Sequence, residues 1–241
     1  MSTLLFQLVG PLQAWDTQSH LDERLTEREP SKSGVIGLLC AALGIERDRP
    51  DELSTFTKLK MGVRIDREGY IIRDFHTAGK DGYVGSDGKV KTRNLITSTR
   101  YYLADAMFLV GLEGDSDLLL KKIQEALQHP KWILFLGRKS CAPSRPPYLK
   151  DGFFPQSLEE AIEHYPWLGQ SKSEYDSIKQ GLRFVYDEPK DGDELHNDLP
   201  TNFARNQRHF QPRQTKTMFI SRPKFKPEAS YPLVRQQEAT P

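Results

Sequence analysis

His76 lies near Lys80, Tyr83, Tyr101 and Tyr102, residue types that can pass protons during metal-independent cleavage of RNA. Such cleavage needs a base to activate a 2′-hydroxyl and an acid for the leaving oxygen, roles that His, Tyr and Lys fill. The cations point to a second chemistry. Arg24, Arg28 and Lys32 follow one another at four-residue steps. Arg93 and Arg100 belong to an acid-free window from Lys89 to Ala104, and Arg138 and Lys139 to another from Lys131 to Lys150. Between Leu199 and Pro227 seven bases, Arg213 among them, occur without an acid, directly after the acidic run Asp187 to Glu194. Charge sorted in this way suits a polyanion held along a track, because neutralised phosphates supply the sequence-independent part of nucleic-acid affinity. A solvated basic face with no ligand explains the charge alone equally well.

Other chemistries are excluded more simply. Cys40 and Cys141 cannot build a disulfide framework, and no Cys-x-x-Cys or Cys/His cluster offers a zinc site, so neither metal nor cofactor is expected. Leu4 to Val9 is apolar but too short, and too poor in flanking positive charge, for a signal peptide or a membrane span. No membrane partner is expected and the cytoplasm is the default. The 241 residues, with 37% hydrophobic content, suffice for a sizeable core without staples.

The elements that must position these side chains are legible in outline. Thr3 to Val9 reads as a buried strand. A helix capped by Ser31 or Ser33 carries Val35, Ile36, Leu38, Leu39, Ala42 and Leu43 at helical spacing and ends at Gly44. Strands are predicted at Lys60 to Asp66, Tyr70 to Phe75 and Ala106 to Leu112. A helix follows from Ser116 to His129, stopped by Pro130, and a last strand from Lys131 to Leu136. The order strand, helix, strand, strand, helix, strand is an α+β pattern, the split βαβ of ferredoxin-like folds, which include the RNA-recognition fold. Gly79, Gly82, Gly85 and Gly88 break the stretch between Phe75 and Arg100, which reads as an inserted hairpin carrying bases on its outgoing arm. The expected division is a ferredoxin-like domain over 1–150, with the hairpin at about 76–100. An irregular extension, or degenerate second half-domain, follows over 151–241. In that part a short helix is expected at Ser157 to His164, with strands at Leu182 to Tyr186 and Thr217 to Ile220.

Several ordered motifs are similar to those of one family. They are Gly10-Pro11-Leu12-Gln13-Ala14-Trp15, Pro30-Ser31-Lys32-Ser33-Gly34, Arg73-Asp74-Phe75-His76-Thr77, Arg100 to Ala106 and Leu136-Gly137-Arg138-Lys139-Ser140-Cys141. Together they resemble the CRISPR-associated CasD subunits of type I-E Cascade, members of the RAMP superfamily. The resemblance is close from Leu4 to about Tyr148. Beyond that it is patchy, with Asp187-Glu188-Pro189 and Pro212-Arg213-Gln214 as matching pieces. It implies a non-catalytic subunit that caps the five-prime handle of the crRNA. The hairpin would act as a thumb beside the backbone subunit CasC, the large subunit CasA would dock nearby, and target DNA would be met only through the complex. The alternative is a metal-independent endoribonuclease that processes precursor crRNA, as in type I-C relatives.

Residue by residue, Arg24, Arg28 and Lys32 would set cations beside a helix start whose free amides favour an anion. Ser33 lies at the same place, and pairing with Asp22, Glu23, Glu27 or Glu29 is the alternative for the two arginines. Gln13 is expected to reach a base or phosphate, while Trp15 reads as a packing residue. Gly137 to Cys141 is expected to expose backbone amides with Arg138, Lys139 and Ser140, and Cys141 reads as buried or base-facing. Arg100 is the foremost expected charge-assisted contact, with Asp74 or Asp105 as its alternative partner. Arg73, Arg93 and Arg213 complete the expected RNA-binding set, and His76 is expected to position the thumb or touch RNA.

Overall fold

The computed structural model describes residues 1–17, 22–79, 82–85, 88–92 and 95–226. The chain opens with β1 (Ser2–Val9), buried along its whole length, and continues through the short β2 (Leu12–Gln13) and β3 (Glu23–Arg24). Helix α1 (Lys32–Leu43) begins where Ser31 Oγ accepts from the Gly34 amide, and the chain leaves it at Gly44. Of the two candidate caps it is therefore Ser31 that serves. After α2 (Pro50–Thr57) come β4 (Lys60–Arg67), β5 (Tyr70–Ala78), β6 (Tyr83–Val84), β7 (Val90–Lys91), β8 (Ile96–Ala104) and β9 (Met107–Gly114). Helix α3 (Asp117–Gln128) is capped by Ser116 and buries Leu120, Ile123 and Leu127 at helical spacing, leaving Leu118 81% exposed. The remainder forms β10 (Phe153–Phe154), α4 (Leu158–His164), α5 (Lys172–Ser177), β11 (Leu182–Asp187), β12 (Glu194–Asn202) and β13 (His209–Ile220).

One antiparallel seven-stranded sheet runs in the order β10-β1-β9-β4-β11-β13-β12. Its first four strands are the βαββαβ unit in the spatial order fourth, first, third, second. The last three extend the sheet beyond β4. Helices α1, α2 and α3 cover one face, packing Val35, Leu39, Phe56, Ile123 and Leu127 against Leu4, Phe6, Val63 and Val110. Helix α4 covers the other face with Leu158 and Ile162 over Leu5, Leu109 and Phe184. On that second face Arg64 is fully buried, with every N–H engaged. Nε and one terminal nitrogen donate to the Asp66 carboxylate at 2.6 and 2.9 Å. The remaining N–H groups reach the carbonyl oxygens of Ile162, Tyr165 and Pro166 at 2.6, 2.6 and 2.8 Å.

Lys131 to Leu136 does not form the expected fourth strand. The edge of β1 is met instead by β10, which pairs Phe154 with Thr3 and Phe153 with Leu4. Isolated bonds continue along that edge, from Leu5 N to Gly152 O and from Gln7 N to Pro147 O. Residues 131 and 132 turn their amides to the end of α1, at Ala42 O and Ala41 O, while Leu134 and Leu136 are buried in the core. The continuous apolar run thus reports packing rather than a ladder. Sequence reading also misses β12, whose residues are largely polar, while β11 and β13 lie where strands are expected.

The inserted hairpin is a separate sheet. Strands β5 and β8 pair over their full lengths, from Tyr70↔Ala104 at the base to Ala78↔Ile96. The free edge of β8 takes β2 antiparallel and β3 parallel, and β6 pairs with β7 further out. Only the base, Tyr102 to Ala104, is buried, and the arm beyond it carries Phe75 at 61% exposure.

Candidate nucleic-acid interface

Ladder register decides which side chains share a face of the arm, because directly opposed residues project to the same side of a pleated sheet. Asp74 opposes Arg100, His76 opposes Ser98 and Ile72 opposes Tyr102 on β5 and β8, while Arg24 of β3 opposes Arg100 from the other edge. Arg24, Arg100, Asp74 and His76 therefore lie on one face. Arg73 opposes Tyr101 and belongs to the reverse face, with Ile71 and Phe75.

On the first face Arg100 is half-buried and its Nε is buried without a hydrogen-bond partner. Asp74, its neighbour on the rung, pairs with His76 Nε2 at 2.5 Å instead. Two of the four acids expected to neutralise the loop arginines are also engaged elsewhere: Glu27 accepts from Thr17 at 2.7 Å, and Glu29 pairs with Arg183 at 2.9 Å. Among the described residues, Arg24, Arg28 and Arg100 carry no ion pair. Arg24 and Arg28 are exposed and Arg100 is half-buried, all three without an ion pair among those residues, an arrangement that can receive an anion.

The turn from Leu136 to Cys141 is set against this face. Ala14 N donates to Leu136 O at 3.0 Å, and Leu136 N to Cys141 O at 2.7 Å. Gly137 has φ 87°, and a Cβ there would lie 1.7 Å from Ala14 O, so only glycine lets the turn approach so closely. The amides of Gly137 and Cys141 donate within the turn, to Phe135 O and Arg138 O, so they are not offered outward as expected. Arg138 donates to Tyr101 O at 2.9 Å and Leu25 O at 2.8 Å, with its guanidinium 4.9 Å from the centre of the Tyr102 ring. Lys139 and Ser140 are exposed and Cys141 is buried.

Two expected contacts belong to the interior. Gln13 is fully buried, donating to Leu8 O and Ala106 O and accepting from Trp15 Nε1 at 2.9 Å. Its place is structural, as is that of Trp15, against whose ring Gly34 brings α1. Lys32 is 4% exposed, and its Nζ donates to Asp187 at 2.6 Å and Leu59 O at 2.8 Å. The anion expected at the start of α1 is present but comes from the chain itself. Asp198 of β12 accepts from the Lys32 amide at 2.6 Å and from Arg213 at 2.6 and 3.0 Å. Arg213 also reaches Asp187 at 2.6 Å, and these two carboxylates hold its guanidinium protonated, with its pKa raised against the cost of burial. Lys32 and Arg213 therefore close the joint between α1 and the added strands. Ser33, half-buried, sits at that joint with Oγ 3.4 Å from Ser31 Oγ. Arg93 and Lys80 lie outside the described residues.

Of the proton-transfer set drawn from the sequence, neither Tyr101 nor Tyr102 joins His76. Tyr101 is on the reverse face from His76, and Tyr102 is buried beneath Arg138. Among the described residues no group of three or more His, Cys, Asp or Glu is placed to hold a metal ion, and no helix is long and apolar enough to cross a membrane.

Residues 3–216 match the family described as "CRISPR-associated protein (Cas_Cas5)". The chain belongs to the CRISPR-associated Cas5 family. It is 31% identical over 202 residues to the CRISPR system Cascade subunit CasD of Escherichia coli (strain K12), covering 78% of this chain and 88% of that protein. Among solved structures it resembles one titled "Crystal structure of Cas protein", with TM-score 0.73 and 38% identity over 94% of this chain and all of that one. A chain in a "CRISPR RNA-guided surveillance complex" gives TM-score 0.72 and 28% identity, covering 90% of each.

In this Cas5 chain both thiols are inert by environment. Burial pushes the Cys40 pKa up to about 11, reinforced by Glu52, and burial raises that of Cys141 against the opposing effect of Ser140. Ellman's reagent at pH 8 should find fewer than about 0.2 thiols per native chain within minutes, and both after unfolding in guanidinium. Rapid native reaction of one equivalent would show that a thiol is open to solvent.

Proposed function

We propose that this chain is a non-catalytic RNA-binding subunit of a Cascade-type CRISPR surveillance complex, gripping the five-prime handle of the crRNA. The observation that carries the reading is the convergence of Arg24 and Arg100 on one rung of the arm, without ion pairs among the described residues and with Arg100 Nε unpartnered. Likeness to the Cascade subunit CasD and to a chain of an RNA-guided surveillance complex supports the choice of ligand. A single-stranded RNA end is held by phosphate contacts that set register and by surfaces for unstacked bases. Arg24, Arg28 and Arg100 supply the first, and the exposed Tyr70, on the same face of the arm, supplies the second.

In this reading residues 1–150 form the RNA-facing RAMP domain, with 76–100 as its thumb, and 151–241 brace it through the joint at Lys32. The arm's exposed Val84, Val90 and Ile96 meet the backbone subunit CasC, and the large subunit CasA docks beside the same RNA end. Target DNA is engaged through the assembled complex, in the cytoplasm. In this reading scission of precursor crRNA belongs to another subunit, since among the described residues Asp74 is the ionisable group paired with His76.

The test is incubation of the full chain with repeat-derived RNA in EDTA, followed by a five-prime exonuclease. Expected are uncut RNA and a protected five-prime end, for wild type and His76→Ala alike. Site-specific cutting that disappears in His76→Ala would establish the endoribonuclease alternative instead.

A further inference from the structure

We infer that Arg138 is a positioning residue, a staple that holds the Arg24 loop against the return strand of the thumb, rather than a phosphate ligand. The inference rests on the RNA-binding reading above for its functional consequence, and on the geometry alone for the staple itself.

Arg138 projects from a turn that is fixed on its other side. The backbone of that turn bonds to Ala14, and Gly137 lies too close to Ala14 O to admit a side chain. From this base the guanidinium spans two segments far apart in sequence. One terminal nitrogen donates to Tyr101 O in β8, the other to Leu25 O just after β3, and the plane packs over the Tyr102 ring. Strand β3 itself contributes only Glu23 and Arg24 to the ladder, opposite Thr99 and Arg100. A two-residue parallel pairing is weak alone. Arg138 closes it from the far side, at Leu25, so that Arg24 stays on the rung of Arg100. With one N–H of each terminal nitrogen given to a carbonyl and its plane stacked on the Tyr102 ring, this guanidinium is fixed in place by the chain itself. Lysine keeps the charge but, as a single point donor on a flexible stem, cannot bridge two carbonyls while stacking on a ring.

These roles separate experimentally on the full-length chain with a three-prime-labelled single-stranded RNA copied from the host's CRISPR repeat. For Arg138→Ala and Arg138→Lys alike, affinity is expected to fall about tenfold and the slope of log K against log salt by about 0.7, the loss of the one contact that Arg24 makes. A direct phosphate ligand at Arg138 would lower the slope by about 0.7 in addition to the loss seen for Arg24→Ala, and lysine would keep that contact. Arg24→Ala is expected to cost less than about twofold when Arg138 is already replaced, because a misplaced Arg24 has little to lose. In the RNA-free chain, hydrogen exchange is expected to quicken at residues 22–26 and 99–101 in both variants, with α1 and the large sheet unchanged. Full affinity in Arg138→Lys, a slope lowered by about 1.4 in Arg24→Ala/Arg138→Ala, or unchanged exchange at 22–26 would each overturn the staple. If Arg138→Ala does not fold, Arg138→Lys carries the test. If the wild-type chain does not bind the RNA, the RNA-binding reading fails and the exchange result alone decides the staple.

Discussion

Replacing Arg64 with alanine is expected to destabilise the chain by about 3–5 kcal/mol, the range for removing one partner of a buried ion pair. For a chain of this size that corresponds to a fall in Tm of roughly 6–20 °C, measurable by calorimetry or urea titration. The size follows from what the side chain leaves behind. Asp66 would remain buried, its carboxylate held among the described residues by the Leu168 amide at 2.7 Å. The carbonyl oxygens of Ile162, Tyr165 and Pro166 would lose their donor together. These three close the C-terminal end of α4 against β4, and Trp167 Nε1 ties the next residues to Asp66 O at 3.0 Å. The usual remedy for a buried ion pair, replacing both members by apolar residues, should therefore work poorly here. In Arg64→Met/Asp66→Leu the carboxylate is gone but three buried acceptors remain unpaired, at about 1–3 kcal/mol each. That double variant is expected to stay less stable than wild type by more than about 2 kcal/mol. Stability equal to wild type would show that the carbonyls rehydrate freely and that the fork contributes little.

The parts of this architecture that were legible in the sequence are those specified by local chemistry. Ser31 and Gly44 bracket α1, Ser116 opens α3, and the glycines between Phe75 and Arg100 announce a hairpin, because caps and turns act over a few residues. The site was legible to a similar depth: Arg24 and Arg100 were singled out, but not their meeting on one rung, which depends on a parallel pairing no periodicity reveals. Lys32 shows the opposite failure. A helix start beside a cation does favour an anion, yet the anion is Asp198, 166 residues away, carried on a strand whose polar sequence hides it. Long-range neutralisation of this kind is also why Arg213, in a basic stretch, is a buried structural cation. The nearer pairing, offered only as the alternative for Arg100, fails for a local reason. Asp74 and Asp105 were the available partners for Arg100, but Asp74 turns to His76 two residues on, leaving the arginine uncompensated.

That uncompensated pair sets the largest expected effect on binding. Arg24→Ala and Arg100→Ala should each weaken RNA binding by about tenfold to a hundredfold, the worth of a charge-assisted hydrogen bond of about 1.5–3 kcal/mol. Each should also reduce the slope of log K against log salt by about 0.7. Because the two guanidinium groups share a rung and can clasp one phosphate, the double variant is expected to lose less than the product of the single losses. Arg73→Ala supplies the control for register. It removes an exposed arginine from the same arm, but one projecting from the reverse face opposite Tyr101. A general attraction to a basic arm would make all three variants alike, with equal losses in affinity and in slope. A strand laid along one face makes Arg73→Ala lose less than about threefold while Arg24→Ala and Arg100→Ala lose together. Filter binding or fluorescence anisotropy across a salt series distinguishes these outcomes. Equal behaviour of Arg73 and Arg100 would mean that the polyanion wraps the arm on both faces, so that face selection by β-ladder register is not what positions the RNA.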